Sequence, residues 1–276
     1  MNIKFILNDY VLAWNLLFRE SISRELNDYK QKIWVNYKRQ YNNLYNENVV
    51  LLGDPDNYIP EDDTIYNILH DMEFYRDIYS NVDKFRLALI KVYDENKKFV
   101  LRELKSILRF DIDTYSVYLI DPRLQVSDYS KNLESHVMVY GKIIDKSFLE
   151  TLIDIIYNIV KREVGNQKSQ YKEIVQAVVE LAVLNELATR ITGVSHIRNG
   201  DNTLSFLKKQ IYPYFLMYLG VALEDMPNYM MRDNIAFDVS YYDYNKKLSK
   251  MNLFSFIDYC ILNQKSILNI DEIEIL

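Results

Sequence analysis

Hydrophobic residues near the N-terminus recur at the period of an α-helix. The ten steps from residue 7 to residue 44 cover 37 residues, a mean of 3.7 residues per step. This N-terminal stripe consists of Leu7, Val11, Trp14, Phe18, Ile22, Leu26, Tyr29, Ile33, Tyr37, Tyr41 and Leu44. Because the period is longer than the 3.5 of a left-handed coiled coil, we expect the stripe to pack against the chain's own core. The side chains expected to contact the rest of the chain are Trp14, Phe18, Ile22 and Ile33.

The pattern changes twice further along the chain. Two more helices are predicted near 65–79 and 83–108. Residues 114–120 and 136–140, rich in β-branched and aromatic side chains, then predict two strands that could pair into a small sheet. The helical period returns from Ser147, and the later helices are predicted over 148–165, 171–192, from about 202 to a kink or break at Pro213, and 253–262. We therefore predict a mainly α (α+β) chain, a helical domain with a small β-sheet.

No stretch rich in glycine, proline or serine divides the chain. We therefore predict a single domain over 1–276. Within it, 1–110 is expected to be a helical N-terminal part, and 111–276 is expected to hold the sheet and the later helices.

Composition excludes several classes of function. The chain of 276 residues has 33 Lys and Arg against 39 Asp and Glu, a net charge of −6, so we expect no nucleic-acid partner. The longest apolar run, 211–223, is shorter than the roughly 18 to 20 residues that span a bilayer and contains Pro213 and Gly220. Asp9 interrupts the apolar start before a signal peptide could develop. We expect no membrane partner and a cytoplasmic location.

Motifs for common chemistry are absent. The chain has no GxxxxGK[ST], GxGxxG or GxSxG sequence, which argues against phosphate loops and a nucleophile elbow. Its three histidines, His70, His136 and His196, share no metal-ligand spacing, and Cys260 is the one cysteine. The acidic stretch 54–63 lacks the glycine of an EF-hand loop and is interpreted as a solvated loop before a helix. We therefore expect no metal and no cofactor.

Residues 136–193 have an order of elements that resembles a known family. A strand ending at Gly141 precedes the helix with Ile153-Asp154-Ile155-Ile156-Tyr157, and a later helix carries Asn185-Glu186-Leu187-Ala188. This order is similar to the core of the gluzincin-type zinc metallopeptidases, where the first helix carries HExxH and the later helix supplies a glutamate as third zinc ligand. The resemblance implies a zincin-like core.

The zinc-binding motif itself is missing from this chain. On the family's pattern, Ile153 stands at the first histidine, Asp154 at the catalytic glutamate and Tyr157 at the second histidine. Only Glu186 keeps a residue type that the family uses as a ligand. Because isoleucine has no donor atom for zinc, the resemblance implies a scaffold that has lost its metal site.

We predict a non-catalytic, zincin-like binding protein, a pseudopeptidase, whose former cleft holds a protein or peptide partner. The candidate cleft residues are Asp154, Tyr157, Glu186 and Arg190, and no residue is predicted to be catalytic. We expect Tyr157 to lie near enough to hydrogen-bond Glu186, beneath the strand 136–140. Two alternatives stay open: a helical protein-protein interaction or adaptor protein without enzymatic ancestry, and an enzyme that uses carboxylates such as Asp154, Glu180 and Glu186.

Overall fold

A computed structural model of the protein describes residues 1–21, 23–47, 59, 64–124, 136–141, 147–165, 171–194, 205–233 and 244–268. In these ranges the chain is mainly helical with one small parallel sheet, as the hydrophobic pattern predicts. The chain forms two compact units. The first comprises Met1–Glu95 and Asp113–Thr151, and the second comprises Asn96–Ile112 and Leu152–Leu276. The single domain predicted from the sequence stays a prediction.

The sheet of the first unit has three strands in the order β1-β2-β3. These strands are β1 (Asn2–Ile6), β2 (Thr114–Leu119) and β3 (Val137–Tyr140). The predicted pairing of β2 with β3 is confirmed, in parallel and with Ser116 opposite Val137. The sequence analysis missed β1, in which Ile3 and Phe5 are buried while Lys4 between them is exposed. This alternation of period two is the signal of a strand.

Three helices, not one, carry the N-terminal stripe: α1 (Asp9–Phe18), α2 (Arg24–Asn36) and α3 (Lys38–Glu47). The first two of these helices begin at N-cap side chains. Asn8 accepts a hydrogen bond from the Val11 amide at 3.0 Å, and Ser23 accepts one from the Leu26 amide at 3.4 Å. Each of the three helices contributes buried members of the stripe, among them Trp14, Leu26, Ile33 and Leu44.

The predicted burial of the stripe holds for part of it. Trp14 and Ile33 are buried. Phe18 is half-buried and packs its ring against Tyr41, with the ring centroids 4.6 Å apart. Ile22 lies outside the described residues.

Two longer helices enter both units. α4 (Thr64–Asp71) belongs to the first unit, whereas α5 (Glu73–Leu108) and α6 (Phe148–Gly165) begin in the first and end in the second. The hydrophobic pattern predicts two helices, 65–79 and 83–108, which would divide the region of α5 near residue 80. The structure has one helix there, because this stretch contains no glycine or proline to interrupt it.

The remaining helices belong to the second unit. In chain order they are α7 (Lys172–Val179), a π-helix (Glu180–Leu187), α8 (Ala188–Thr192), α9 (Ser205–Leu219), α10 (Met226–Arg232), α11 (Leu253–Leu262) and α12 (Gln264–Leu268). α9 continues through Pro213, so of the predicted kink or break the break is wrong, and the kink stays a prediction. A proline removes one backbone donor, and the buried neighbours Tyr212 and Phe215 keep this helix packed.

Arg109 joins three backbone segments of the second unit. Its guanidinium donates to the carbonyl oxygens of Tyr218 at 2.6 Å, Ser249 at 2.7 Å and Met251 at 2.8 Å. It also lies 4.4 Å from the centre of the Tyr218 ring, and the Tyr218 hydroxyl donates to the Ile107 carbonyl. Charged donors on backbone carbonyls are among the stronger hydrogen bonds, so Arg109 stabilises the end of α5 against the C-terminal helices.

Candidate functional site

Helix α6, on which the resemblance places Ile153, Asp154 and Tyr157, begins at a capping box. The Ser147 hydroxyl accepts from the Glu150 amide at 3.3 Å, and the Glu150 carboxylate accepts from the Ser147 amide at 2.7 Å. This start sets the phase of α6, in which Ile153 and Tyr157 are buried and Asp154 is half-buried. The residue at the first histidine position of the family pattern is therefore an ordinary core isoleucine.

The second helical stretch contains eight residues of π-helix, Glu180–Leu187, between α7 and α8. A π-helix bonds each amide to the carbonyl five residues earlier and occurs frequently at functional sites. Asn185 and Glu186 lie in it and are buried, with 0% and 3% of their surface exposed. Buried polar side chains need partners, and the partners of Glu186 define the candidate site.

Two arginines hold the Glu186 carboxylate. The Nε atom of Arg190 donates to Oε1 at 2.7 Å, and the Nη2 atom of Arg232 donates to Oε2 at 3.1 Å. Arg190 is one turn further along in α8, whereas Arg232 is the last residue of α10. Both carboxylate oxygens are therefore engaged by charged donors.

Asp233 extends the cluster on the side of Arg232. Its carboxylate accepts from Arg232 Nε at 3.0 Å and Nη2 at 2.9 Å, from Asn185 Nδ2 at 3.2 Å, and from the Tyr212 hydroxyl. Asp233 is fully buried. Burial and the neighbouring Asp233 charge raise the pKa of Tyr212. The hydroxyl of Tyr212 is thus kept protonated as a donor to the carboxylate.

Glu103 and Ser106 extend the cluster on the side of Arg190. The Nη1 atom of Arg190 lies 3.1 Å from a Glu103 carboxylate oxygen and 2.9 Å from the Ser106 hydroxyl oxygen. Arg102 donates to the other Glu103 oxygen at 2.9 Å. Burial raises the pKa of Glu103, but the hydrogen bonds from Arg102 and Arg190 lower it, and the net pKa is below the ordinary value.

Opposite charges balance in this arginine-carboxylate cluster. We give this name to the three arginines and three acids Arg102, Arg190, Arg232, Glu103, Glu186 and Asp233. Burial lowers the pKa of Arg232, but the hydrogen bond and charge of Asp233 and the charge of Glu186 raise it above its ordinary value. The guanidinium therefore stays charged, and the cluster as a whole is neutral.

A second buried ion pair lies at the first residue of the π-helix. Lys208 Nζ lies 3.0 Å from Glu180 Oε2, and both side chains are nearly inaccessible to solvent. The Gln176 amide donates to the other Glu180 oxygen at 2.9 Å. Glu180 and Glu186 thus have separate partners, and the arrangement does not join them in one carboxylate site.

The predicted cleft residues are only partly brought together. Glu186 and Arg190 are directly paired, whereas the hydrogen bonds to Glu186 within the described chain come from the two arginines and not from Tyr157. The Tyr157 ring has the Lys161 ammonium 5.9 Å from its centre, and the Asp154 carbonyl accepts from the Asn158 side chain at 2.8 Å. A shared cleft for Asp154, Tyr157 and Glu186, and its cover by the strand 136–140, stay predictions.

Sequence reasoning missed four members of the cluster, Arg102, Glu103, Arg232 and Asp233, and two side chains bound to it, Tyr212 and Ser106. The signal for Arg190 was its spacing of four residues from Glu186, but Arg232 is 46 residues away and Glu103 contacts Arg190 across 87. A single sequence carries no periodic signal for such pairs. Asn185 and Glu186 are polar residues among apolar neighbours in the sequence, and such residues need partners where they are buried.

The histidines and the cysteine have ordinary surroundings. His70 Nε2 lies 2.7 Å from the Asp9 carboxylate, His136 lies 3.9 Å from that of Asp113, and His196 is outside the described residues. Cys260 is buried, and burial raises the pKa of its thiol. Across the ranges that the structure describes, no three His, Cys, Asp or Glu side chains are placed to hold a metal ion.

Comparison with protein-family models, with curated proteins and with solved structures found no match. Among the helices described, none is long and apolar enough to cross a membrane.

Proposed function

We propose that the protein is a non-catalytic binding protein with a zincin-like scaffold, which lost its metal site and holds a protein or peptide partner in the former cleft. The observation that carries the proposal is the state of Glu186. In the family pattern this residue would ligate zinc, whereas here each carboxylate oxygen accepts a hydrogen bond from an arginine.

A carboxylate in this setting is poorly suited to metal or acid-base chemistry. A zinc ligand needs a free lone pair directed at the ion, and the cation would lie against two guanidinium charges at the positions of Arg190 and Arg232. A general base needs room for a substrate or water beside it. Ile153 adds no ligand atom, so the chain's own residues favour binding over catalysis.

One observation favours the alternative, a helical interaction protein without enzymatic ancestry. Helix α2 exposes Trp34 and Val35 next to each other, with 43% and 61% of their surfaces accessible. Large exposed apolar residues that adjoin one another are typical of contact surfaces. In this alternative a partner would bind through α2, and changes in the arginine-carboxylate cluster would leave binding unaltered.

The first experiment measures zinc and peptidase activity on the unaltered chain. We expect far less than one zinc per chain after purification without chelator, and no cleavage of casein or of an unstructured peptide mixture with added zinc. About one tightly bound zinc, or zinc-dependent cleavage, would refute the proposed loss of catalysis.

The second experiment tests the scaffold by rebuilding the motif. The substitutions Ile153→His, Asp154→Glu and Tyr157→His place two imidazoles one helical turn apart with a glutamate between them. Because Arg190 and Arg232 engage both oxygens of Glu186, the same chain also carries Arg190→Gln and Arg232→Gln, which release the carboxylate. If the scaffold is zincin-like, this variant should bind about one zinc per chain, and zinc should raise its Tm; Glu186→Gln in the same background should weaken that binding. A folded variant that binds zinc no better than the unaltered chain, or whose zinc binding does not depend on Glu186, would refute the zincin-like scaffold and leave the helical interaction protein.

A further inference from the structure

Among the described residues, one terminal nitrogen of Arg190 and one of Arg232 have no hydrogen-bond partner. Within the described chain, Arg190 uses Nε and Nη1, and Arg232 uses Nε and Nη2. The unused atoms are Nη2 of Arg190 and Nη1 of Arg232. Each of the two side chains is 30% exposed, so neither arginine is sealed inside the second unit.

The two guanidinium groups are neighbours because they share one anchor. Arg190 is bound to one oxygen of the Glu186 carboxylate and Arg232 to the other. A second carboxylate also holds each guanidinium group: Glu103 binds Arg190, and Asp233 binds Arg232. The two groups are therefore oriented before any ligand arrives, which removes much of the entropy that a free arginine loses on binding.

We propose that Arg190 and Arg232 form a clamp for a single carboxylate group of the peptide partner. The proposal rests on the proposed function, since it names the chemistry by which the partner is recognised. In this clamp one carboxylate oxygen accepts from Arg190 Nη2 and the other from Arg232 Nη1. Arginine suits this role because its planar group can hold one carboxylate on one edge and present further donors on another.

Charge favours a carboxylate over a phosphate. The arginine-carboxylate cluster has three positive and three negative groups, so an incoming anion meets no net positive charge. A phosphate monoester has close to two negative charges at neutral pH, and desolvating the second charge costs free energy that a neutral cluster does not return, whereas the two oxygens of one carboxylate match the two unused nitrogens. The same balance predicts modest affinity for an isolated carboxylate, with a Kd on the order of 1 mM.

The clamp can be tested by NMR titration of protein labelled with ¹⁵N in arginine, following the Nε resonances. Three acetylated probes separate the sources of a carboxylate: Ala-Ala-Ala with a free C-terminus, the same peptide as an amide, and Ala-Asp-Ala as an amide. We expect saturable shifts of the Arg190 and Arg232 signals with the first or third probe and none with the second. Arg123 provides the internal control, since it is 32% exposed and is held by the buried Asp121.

Conservative variants separate recognition from stability. Arg190→Lys keeps a positive charge beside Glu186 but lacks the second terminal nitrogen, and we expect binding of the carboxylate probe to weaken at least tenfold. Arg123→Lys should leave binding unchanged. If Arg190→Lys fails to fold, Arg232→Lys gives the same test from the other side of the clamp.

Three results would overturn the proposal. These are the absence of saturable shifts for both carboxylate probes, equal shifts with sodium chloride at the same ionic strength, and tighter binding of inorganic phosphate than of either probe. Zinc content and peptidase activity of the same preparation are measured separately. A failed titration with no zinc and no cleavage would remove only the carboxylate clamp, whereas zinc-dependent cleavage would remove the proposed function itself.

Discussion

The buried pair of Glu180 and Lys208 allows a quantitative test of how charge is held inside the second unit. Its charged atoms are 3.0 Å apart, and about 5% of each side chain is exposed. At an effective dielectric constant of about 20, Coulomb's law gives roughly 5 kcal/mol of attraction at this distance. Removing two ions from water costs several kcal/mol each, so the intact pair is expected to contribute little net stability.

Removing one partner of the pair is expected to destabilise the fold, because the other charge stays buried. Lys208→Met leaves the Glu180 carboxylate buried with only the Gln176 amide as a donor, and we expect a loss of about 3–5 kcal/mol in the free energy of unfolding. Glu180→Gln leaves Lys208 uncompensated. Burial already lowers the pKa of Lys208 while Glu180 raises it, so this variant can lose its proton and is expected to cost less at alkaline than at neutral pH.

The assay is a double-mutant cycle in urea at constant temperature. Combining Lys208→Met with Glu180→Leu should restore stability to within about 1–2 kcal/mol of the unaltered chain, which corresponds to a coupling energy of several kcal/mol. The control cycle uses Arg24 and Asp28, which are exposed, 3.9 Å apart and expected to couple by less than about 0.5 kcal/mol. Equal coupling in the two cycles would mean that water reaches the Glu180 pair and would refute the reasoning.

Three further predictions concern other parts of the chain. Phe18→Ala should lower the free energy of unfolding by about 2 kcal/mol. This is less than the roughly 3–5 kcal/mol of a fully buried ring, because Phe18 is half-buried. A change of less than about 0.5 kcal/mol would contradict the packing of Phe18 on Tyr41. Arg109→Met should lower the unfolding free energy by at least about 2 kcal/mol through three lost carbonyl contacts, whereas Arg102→Met, at an exposed side chain, should change it by less than half as much. The raised pKa of Tyr212 stabilises the fold at pH values below the ordinary 10.0, and this contribution is lost as pH rises above 10, where the unfolded chain releases the proton first. Stability measured between pH 9 and 11 should therefore fall less steeply for Tyr212→Phe, and parallel curves would show that another group titrates.

Local periodicity explains which elements the sequence could predict. α11 has the predicted bounds 253–262, and β2 and β3 lie within the predicted strands, because each has a complete pattern in its own residues. β1 has five residues, and its partner β2 begins 112 positions later, from Asn2 to Thr114. An alternation of buried and exposed residues over only five positions cannot be told, from the local sequence, from the first turn of the helical stripe that follows it.

The candidate site shows the same division between local and distant signals. The pair of Glu186 and Arg190 follows from helical spacing and could be named in advance. Arg232 and Glu103 reach the site because α10 and α5 pack near the π-helix. The hydrophobic periodicity of a single sequence gives no information on which distant helices pack together. The resemblance to gluzincins predicts a role for Glu186, but it predicts nothing about the arginines that bind its carboxylate.

The π-helix also affects the direction in which the side chains that follow it point. A segment wound with bonds to the fifth residue takes up more residues per turn than an α-helix, so the residues after Leu187 stand at a different angular phase from the one that uninterrupted α-helical counting assigns. Deleting a single residue between Glu180 and Leu187 would let the segment rewind as an α-helix. The lost residue removes about 100° of rotation and the tighter α-helical winding restores much of it, so Arg190 would stay close to its present direction, whereas the same deletion within α7 would rotate everything after it by about 100°. In this region the length of the chain, as much as the identity of its side chains, determines which charges meet.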